Sequence, residues 1–86
     1  MRKRNAQIFK QFFYKQLIHT RYENRMTQTQ MAWKLGMDPR SYVNLDHGKS
    51  GCSGLTLALF LIYVCDDPKT FLENLRIALE GEDHVA

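Results

Sequence analysis

The sequence lacks the features of membrane, secreted and metal-binding proteins. Its apolar run from Leu57 to Cys65 has only nine residues, whereas a membrane-spanning helix needs about 20. Its two cysteines, Cys52 and Cys65, form neither a CxxC motif nor a set with metal-ligand spacing. The basic residues 2–4 are followed by polar residues and not by the apolar segment of a signal peptide. We therefore expect a reduced, cytoplasmic protein with no metal, no cofactor and no membrane partner.

Helix-breaking residues are also scarce, and no strand-like alternation, internal repeat or low-complexity segment is present. With only two prolines and five glycines, long stretches of the 86 residues are free to form helices. The length and a hydrophobic fraction of 44% predict a single all-α domain with a packed core. Its expected parts are a basic arm (1–4), a long first helix (5–23), a helix-turn-helix (27–48), two last helices (54–80) and a tail (81–86).

Charge is distributed unevenly along the chain. Residues 1–49 carry ten basic and three acidic side chains, a net charge of +7, whereas residues 50–86 carry two basic and six acidic ones, a net charge of −4. A basic half favours a surface that meets phosphate groups, as in nucleic-acid-binding proteins. Chance clustering of surface charge is the alternative, and charge alone does not separate the two.

The capping and turn residues within residues 27–48 predict two short helices joined by a tight turn. Thr27 and Gln30 have the spacing of a capping box at the start of the first helix. Gly36 can end that helix in a left-handed conformation. The second helix has a capping residue, a proline in its first turn and a closing glycine: Asp38, Pro39 and Gly48. This pattern predicts an αα-corner, the helix-turn-helix unit.

Four groups of residues in this stretch follow a known pattern: Thr27-Gln28, Ala32, Leu35-Gly36 and Leu45-Asp46-His47-Gly48-Lys49. In these residues the chain resembles the phage-repressor family of DNA-binding domains (Cro/cI-like, also called the XRE or xenobiotic-response-element type). The resemblance extends over about residues 17–79. It implies an all-α, five-helix lambda-repressor-like domain, here with an extended first helix. It also implies a small prokaryotic or phage transcription regulator, most simply a repressor.

The second helix of the corner is the predicted recognition helix, which would lie in the major groove with its N-terminal residues nearest the base edges. Arg40 suits guanine, Asn44 suits adenine, Ser41 suits either, and Val43 suits the thymine methyl group. The outward-facing residues on which we expect DNA binding to depend are Pro39, Arg40, Ser41, Val43 and Asn44.

Three residues outside this helix complete the predicted DNA-binding surface. By resemblance, Gln28 contacts the DNA backbone and braces the recognition helix, and Lys49 contacts a phosphate. Lys34 is either electrostatic support or an ordinary exposed lysine. Because one recognition helix buries too little surface for tight specificity, we expect a homodimer on a near-palindromic operator.

The resemblance also implies a structural ion pair between Arg21 of the first helix and Asp46 at the end of the recognition helix. Such a pair can be bidentate and partly buried. Aspartate is one methylene shorter than the glutamate usual in the family, so we expect a looser contact or one bridged by water.

Two departures from the family pattern leave other functions open. Trp33 stands where the family has a polar, exposed residue, so either the long first helix covers it or it anchors a partner. Residues 5–14 lengthen the first helix and pack on the core, the last helix or a second subunit. A protein-interaction module or an antitoxin therefore remains an alternative. An enzyme is not expected, because the three histidines fall in different elements (His19, His47, His84).

Overall fold

The chain folds as five α-helices in the computed structural model, which describes residues 2–84 and the side chains of residues 2–81. The fourth helix continues directly into a π-helical turn. The elements are α1 (Arg2–Glu23), α2 (Gln28–Lys34), α3 (Pro39–Asp46), α4 (Gly54–Leu59), the π turn (Phe60–Val64) and α5 (Pro68–His84). No strand occurs in residues 2–84. The predicted all-α class is therefore confirmed.

The first and last helices are longer than the sequence indicated. The basic arm expected at residues 1–4 is instead the first turn of α1, which begins at Arg2; Met1 lies outside the described residues. At the other end, α5 continues through Gly81 to His84, although we expected Gly81 to end it. A helical glycine costs only about 1 kcal/mol relative to alanine, and Gly81 has no left-handed backbone to stop the helix.

Four phenylalanine rings join α1 to the last two elements. Phe12 packs edge-on against Phe71, and Phe13 against Phe60, each with ring centroids 5.2 Å apart. Phe60 and Phe71 are 5.5 Å apart. The extended part of α1 therefore packs on α5, one of the three environments left open by the sequence. The buried hydrophobic residues are Phe13, Leu17, Met31, Ala32, Leu35, Tyr42, Leu45, Phe60, Val64 and Phe71.

The helix formed by α4 and the π turn is apolar nearly all round, but only part of it is covered. Phe60 and Val64 face the core, whereas Ile62 and Tyr63 are exposed. The N–H group of Cys65 donates to the carbonyl of Phe60, five residues earlier, at 2.8 Å. This hydrogen bond is the i to i+5 bond of a π turn. Phe60 and Val64, four residues apart, share the buried side, and Ile62 and Tyr63 lie between them on the exposed side.

Two large apolar side chains, Trp33 and Leu72, are exposed. Trp33 is 69% exposed, so α1 does not cover it. Its neighbours Met31 and Ala32 are buried, which turns position 33 away from the core in a regular helix. Leu72 is 50% exposed, because it lies beside Phe71, the residue through which that turn contacts the core.

Each of the first three helices is followed by a residue with a left-handed backbone, two positions after the helix ends. The φ angles are +54° at Arg25, +65° at Gly36 and +72° at Gly48. After α1, the N–H groups of Arg25 and Met26 donate to the carbonyls of Tyr22 and Arg21 at 3.1 and 2.9 Å, the two bonds of a Schellman motif. Glycine adopts this conformation without a steric penalty, whereas arginine does not. In the described chain, Arg25 is the one non-glycine residue with a positive φ.

Candidate nucleic-acid interface

The corner between α2 and α3 is held by side-chain caps at both helix starts. Thr27 Oγ1 accepts a hydrogen bond from the Gln30 N–H at 3.1 Å, and Gln30 Oε1 accepts one from the Thr27 N–H at 2.9 Å. Asp38 Oδ2 accepts from the N–H groups of Arg40 and Ser41 at 3.1 and 3.3 Å. The predicted capping box and the predicted Asp38 cap are therefore both formed. They satisfy backbone donors that a helix start otherwise leaves without partners.

On the side of α3 that faces α1 and α2, four side chains form a network that we call the Asp46 network: Arg21, Gln28, Tyr42 and Asp46. Asp46 is only 4% exposed. Its Oδ1 accepts from Arg21 Nε at 2.9 Å and from Tyr42 Oη at 2.8 Å. Its Oδ2 accepts from Arg21 Nη2 at 3.2 Å and from Gln28 Nε2 at 2.8 Å. One carboxylate therefore ties α1 and α2 to the last turn of α3.

The ion pair is closer than we expected. Arg21 contacts Asp46 directly through two nitrogens, so the looser or water-bridged contact inferred from the short aspartate side chain was wrong. Arg21 Nη1 also donates to the carbonyl of Met26 at 3.3 Å. This third bond holds the guanidinium against the turn between α1 and α2, where it can reach the shorter acid.

The surroundings of Asp46 favour its ionised form. Burial by itself raises the pKa of the carboxyl group, but hydrogen bonds from Gln28, Tyr42 and Arg21 and the positive charge of Arg21 outweigh it, so the pKa lies below its usual value. Burial and the hydrogen bond to Asp46 raise the pKa of Tyr42. Tyr42 therefore stays protonated and serves as a donor in this network.

The lowered pKa of Asp46 predicts a pH dependence of stability. Between the folded and the unfolded pKa, the unfolded chain binds more protons, so the free energy of unfolding rises with pH in that window. The contribution of Asp46 should be complete above about pH 5 and be lost as the pH falls through its lowered folded value. We expect the stability difference between the native protein and Asp46→Asn, measured by urea unfolding, to shrink as the pH falls from about 5 to about 3. A constant difference over this range would contradict an ionised Asp46.

The opposite side of α3 presents side chains that have no partner among the described residues. Arg40, Ser41 and Asn44 are exposed, and their side chains make no hydrogen bond or ion pair to the rest of the described chain. Pro39 and Lys49 are exposed as well. Val43 is half-buried, so it is less available to DNA than the sequence suggested. Because Asp46 and Tyr42 hold α3 in place, the backbone positions from which these side chains extend are defined.

Gln28 is placed to brace α3 and not to lie free on the surface. It is half-buried, and its Nε2 donates to Asp46. The bracing role implied by the resemblance therefore has a structural counterpart. A contact with the DNA backbone would have to use the amide atoms that Asp46 does not engage.

Sequence reasoning missed two residues of α1 that lie beside the end of α3. Lys10 Nζ donates to the carbonyl of Lys49 at 3.4 Å. A Cβ atom added at Gly48 would lie 3.3 Å from Tyr14 Cδ1, so the Tyr14 ring packs closely on this glycine. The extension of α1 thus supports the loop after α3 and brings a second lysine next to Lys49. No local sequence signal connects residues this far apart in the chain.

Comparison of the chain with protein-family models, curated proteins and solved structures gives no match. No helix within residues 2–84 is long and apolar enough to cross a membrane. The described residues also contain no group of three or more His, Cys, Asp or Glu side chains placed to hold a metal ion.

Proposed function

We propose that this chain is a lambda-repressor-like domain that binds double-stranded DNA in a sequence-specific manner and acts as a small transcription regulator. One observation supports this most directly: α3 is braced from behind by the Asp46 network while Arg40, Ser41 and Asn44 remain free on its other side. A helix that is fixed in position and carries free guanidinium, hydroxyl and amide groups has what reading base edges requires.

In this mechanism α3 enters the major groove. Arg40 donates two hydrogen bonds to a guanine, and Asn44 exchanges two with an adenine. Lys49 and Lys10, which meet at the end of α3, neutralise phosphates on the flanking backbone. The Asp46 network contributes by fixing the orientation of α3 before binding, so less conformational entropy is lost on the DNA.

The length of α3 argues for two copies on each site. Its eight residues span about 12 Å, enough for only a few base pairs. A symmetric dimer doubles the contacts and reads a near-palindrome, with half-sites about 34 Å apart. We expect the dimer to act most simply as a repressor, by occupying its operator.

The test is selection of bound sequences from random duplex DNA, followed by fluorescence anisotropy on the enriched site at several salt concentrations. Sequence-specific binding predicts enrichment of a near-palindromic site that binds about 10³-fold or more tightly than unrelated DNA. Failure to enrich any sequence, with only weak binding that salt abolishes, would overturn the proposal.

The proposal predicts a sequence-independent role for Lys49. Lys49→Ala should weaken binding to the operator and to unrelated DNA by the same factor, because a phosphate contact carries no base information. The slope of log affinity against log salt should become shallower by about 0.9 for each phosphate that is no longer neutralised. Lys69→Ala, which removes an exposed lysine of α5, is the matched control and should leave both quantities unchanged. A Lys49→Ala effect confined to the operator would contradict the phosphate assignment.

A second candidate function is a protein-interaction module or antitoxin that keeps this fold. It is favoured by Trp33, which is exposed and not covered by α1. Large exposed aromatic residues are common anchors at protein interfaces. Co-purification of a specific protein partner, without selection of a DNA site, would favour this second function.

A further inference from the structure

A groove lies between the α1–α2 turn, the outer side of α2 and the π turn. We propose that this groove, which we call the Trp33 groove, binds an acidic peptide segment of another protein that inserts an apolar side chain. Its volume is ≈ 650 Å³, within the range of about 300–1,000 Å³ that is usual for ligand sites. The residues that carry the argument are Arg25, Trp33, Lys34, Tyr63 and Asp66. None of its lining residues belongs to α3.

Two aromatic side chains supply the apolar part of the groove. Trp33 of α2 is 69% exposed and Tyr63 of the π turn is 63% exposed, and both line the same depression. Tryptophan and tyrosine offer large, rigid surfaces with a polar atom at one end, and they dominate the energetics of many protein interfaces. Two such rings from separate elements form a surface for one inserted apolar side chain.

Two cations supply the charge. The side chains of Arg25 and Lys34 line the groove, and neither has a hydrogen bond or ion pair within the described part of the chain. Free cations beside aromatic rings complement a peptide that carries both carboxylates and an apolar residue. Asp66 lines the groove as well, so an occupant must place its negative charges beside Arg25 and Lys34 and away from Asp66. A peptide can space its carboxylates in this way, whereas a nucleic acid carries a phosphate at every nucleotide. These charges favour an acidic peptide as the occupant.

The backbone gives a further reason to assign function to this groove. Arg25 has a φ of +54°, a position where glycine would avoid a steric penalty. Tyr63 lies in the π turn, an irregularity that is frequent at functional sites. The two non-standard backbone segments are thus far apart in sequence but line one groove. A strained position that keeps an arginine without a side-chain partner in the described part of the chain favours a role for that side chain in binding something outside the chain.

The test uses the fluorescence of Trp33, the one tryptophan in the sequence. The probe is a synthetic peptide in which four aspartate or glutamate residues flank a Leu-Phe pair. Two matched peptides serve as controls, one with lysines in place of the acids and one with serines in place of Leu-Phe. We expect only the first peptide to shift the Trp33 emission in a saturable way. An equal response to all three peptides, or no response to the first, would overturn the proposal.

Two variants test whether the change in Trp33 fluorescence comes from peptide bound in the Trp33 groove. Arg25→Gly and Tyr63→Ala should each weaken binding of the acidic peptide by about tenfold or more. Lys69→Ala and Leu55→Ala, which alter exposed residues outside the groove, should leave it unchanged. Arg25→Gly should also unfold at an unchanged or higher temperature, because glycine relieves the strained φ. A loss of peptide binding together with a lower unfolding temperature would attribute the effect to misfolding and contradict the proposal.

The same fluorescence measurement can identify two other occupants of the groove, and either would contradict the proposal. A saturable response to a single-stranded oligonucleotide, but not to the acidic peptide, would replace the peptide with nucleic acid. A shift of Trp33 emission with protein concentration alone would identify a second copy of the chain as the occupant. Because no residue of α3 lines the groove, Arg25→Gly and Tyr63→Ala should not change DNA affinity, so peptide binding and DNA binding can fail independently.

Discussion

Replacing Arg21 by methionine is expected to lower the free energy of unfolding by about 3–5 kcal/mol. The variant leaves the Asp46 carboxylate buried, with hydrogen bonds from Gln28 and Tyr42 but no positive charge beside it. Removing one partner of a buried pair has a large effect because the remaining charge has lost its hydration and no longer has an opposite charge beside it. Small domains are stable by only about 5–15 kcal/mol, so the variant should lose much of its stability.

A double-mutant cycle assigns this loss to the ion pair. Asp46→Asn removes the charge with little change in shape, and we expect Arg21→Met to destabilise this variant less than it destabilises the native protein. Methionine retains an apolar stem of similar length, which limits the loss of packing. Urea unfolding followed by circular dichroism gives all four free energies.

An exposed arginine provides the matched control for the cycle. Arg76 contacts Glu73 and Glu80 on the surface of α5 at 3.0 and 3.5 Å, where ion pairs contribute little. Arg76→Met should therefore change the free energy of unfolding much less than Arg21→Met does. Equal effects of the two substitutions would show that the Asp46 network does not stabilise the fold.

The features that could be predicted from the sequence are those that depend on neighbouring residues. Thr27 and Gln30 are three residues apart and form a capping box with each other, without help from the rest of the fold. Gly36 adopts the left-handed backbone because the turn into α3 requires it. Each of these follows from local stereochemistry, so the corner could be located from sequence.

The features that were missed depend on contacts between distant segments. Tyr42 is four residues before Asp46, the spacing at which helical side chains meet, yet its hydrogen bond also requires the burial created by α1 and α2. Lys10 and Tyr14 reach the end of α3 only because α1 is long and packs beside it. The exposure of Trp33 was also not evident, because the sequence does not show whether the extended part of α1 lies over the outer side of α2.

The direct test of base reading is Arg40→Ala. Removing a bidentate hydrogen-bond pair to guanine costs about 1–3 kcal/mol, and a symmetric dimer makes this pair twice, so we expect the operator affinity to fall by about 2–6 kcal/mol. Affinity for unrelated DNA should fall far less, because only the phosphate contribution of one cation is removed. Anisotropy titrations on the selected operator and on a scrambled duplex measure both.

Comparison of Arg40→Ala with Lys49→Ala distinguishes base-specific contacts from sequence-independent attraction to phosphates. Arg40→Ala should reduce the ratio of operator to non-specific affinity and broaden the preference at one base pair in each half-site. Lys49→Ala should leave that ratio unchanged and reduce only the salt slope. Because Arg40 has no side-chain partner in the described chain, its removal should not alter the unfolding temperature, so any loss of binding reports on the DNA contact. If Arg40→Ala weakened every duplex equally, α3 would be a cationic surface and the sequence-specific mechanism would be wrong.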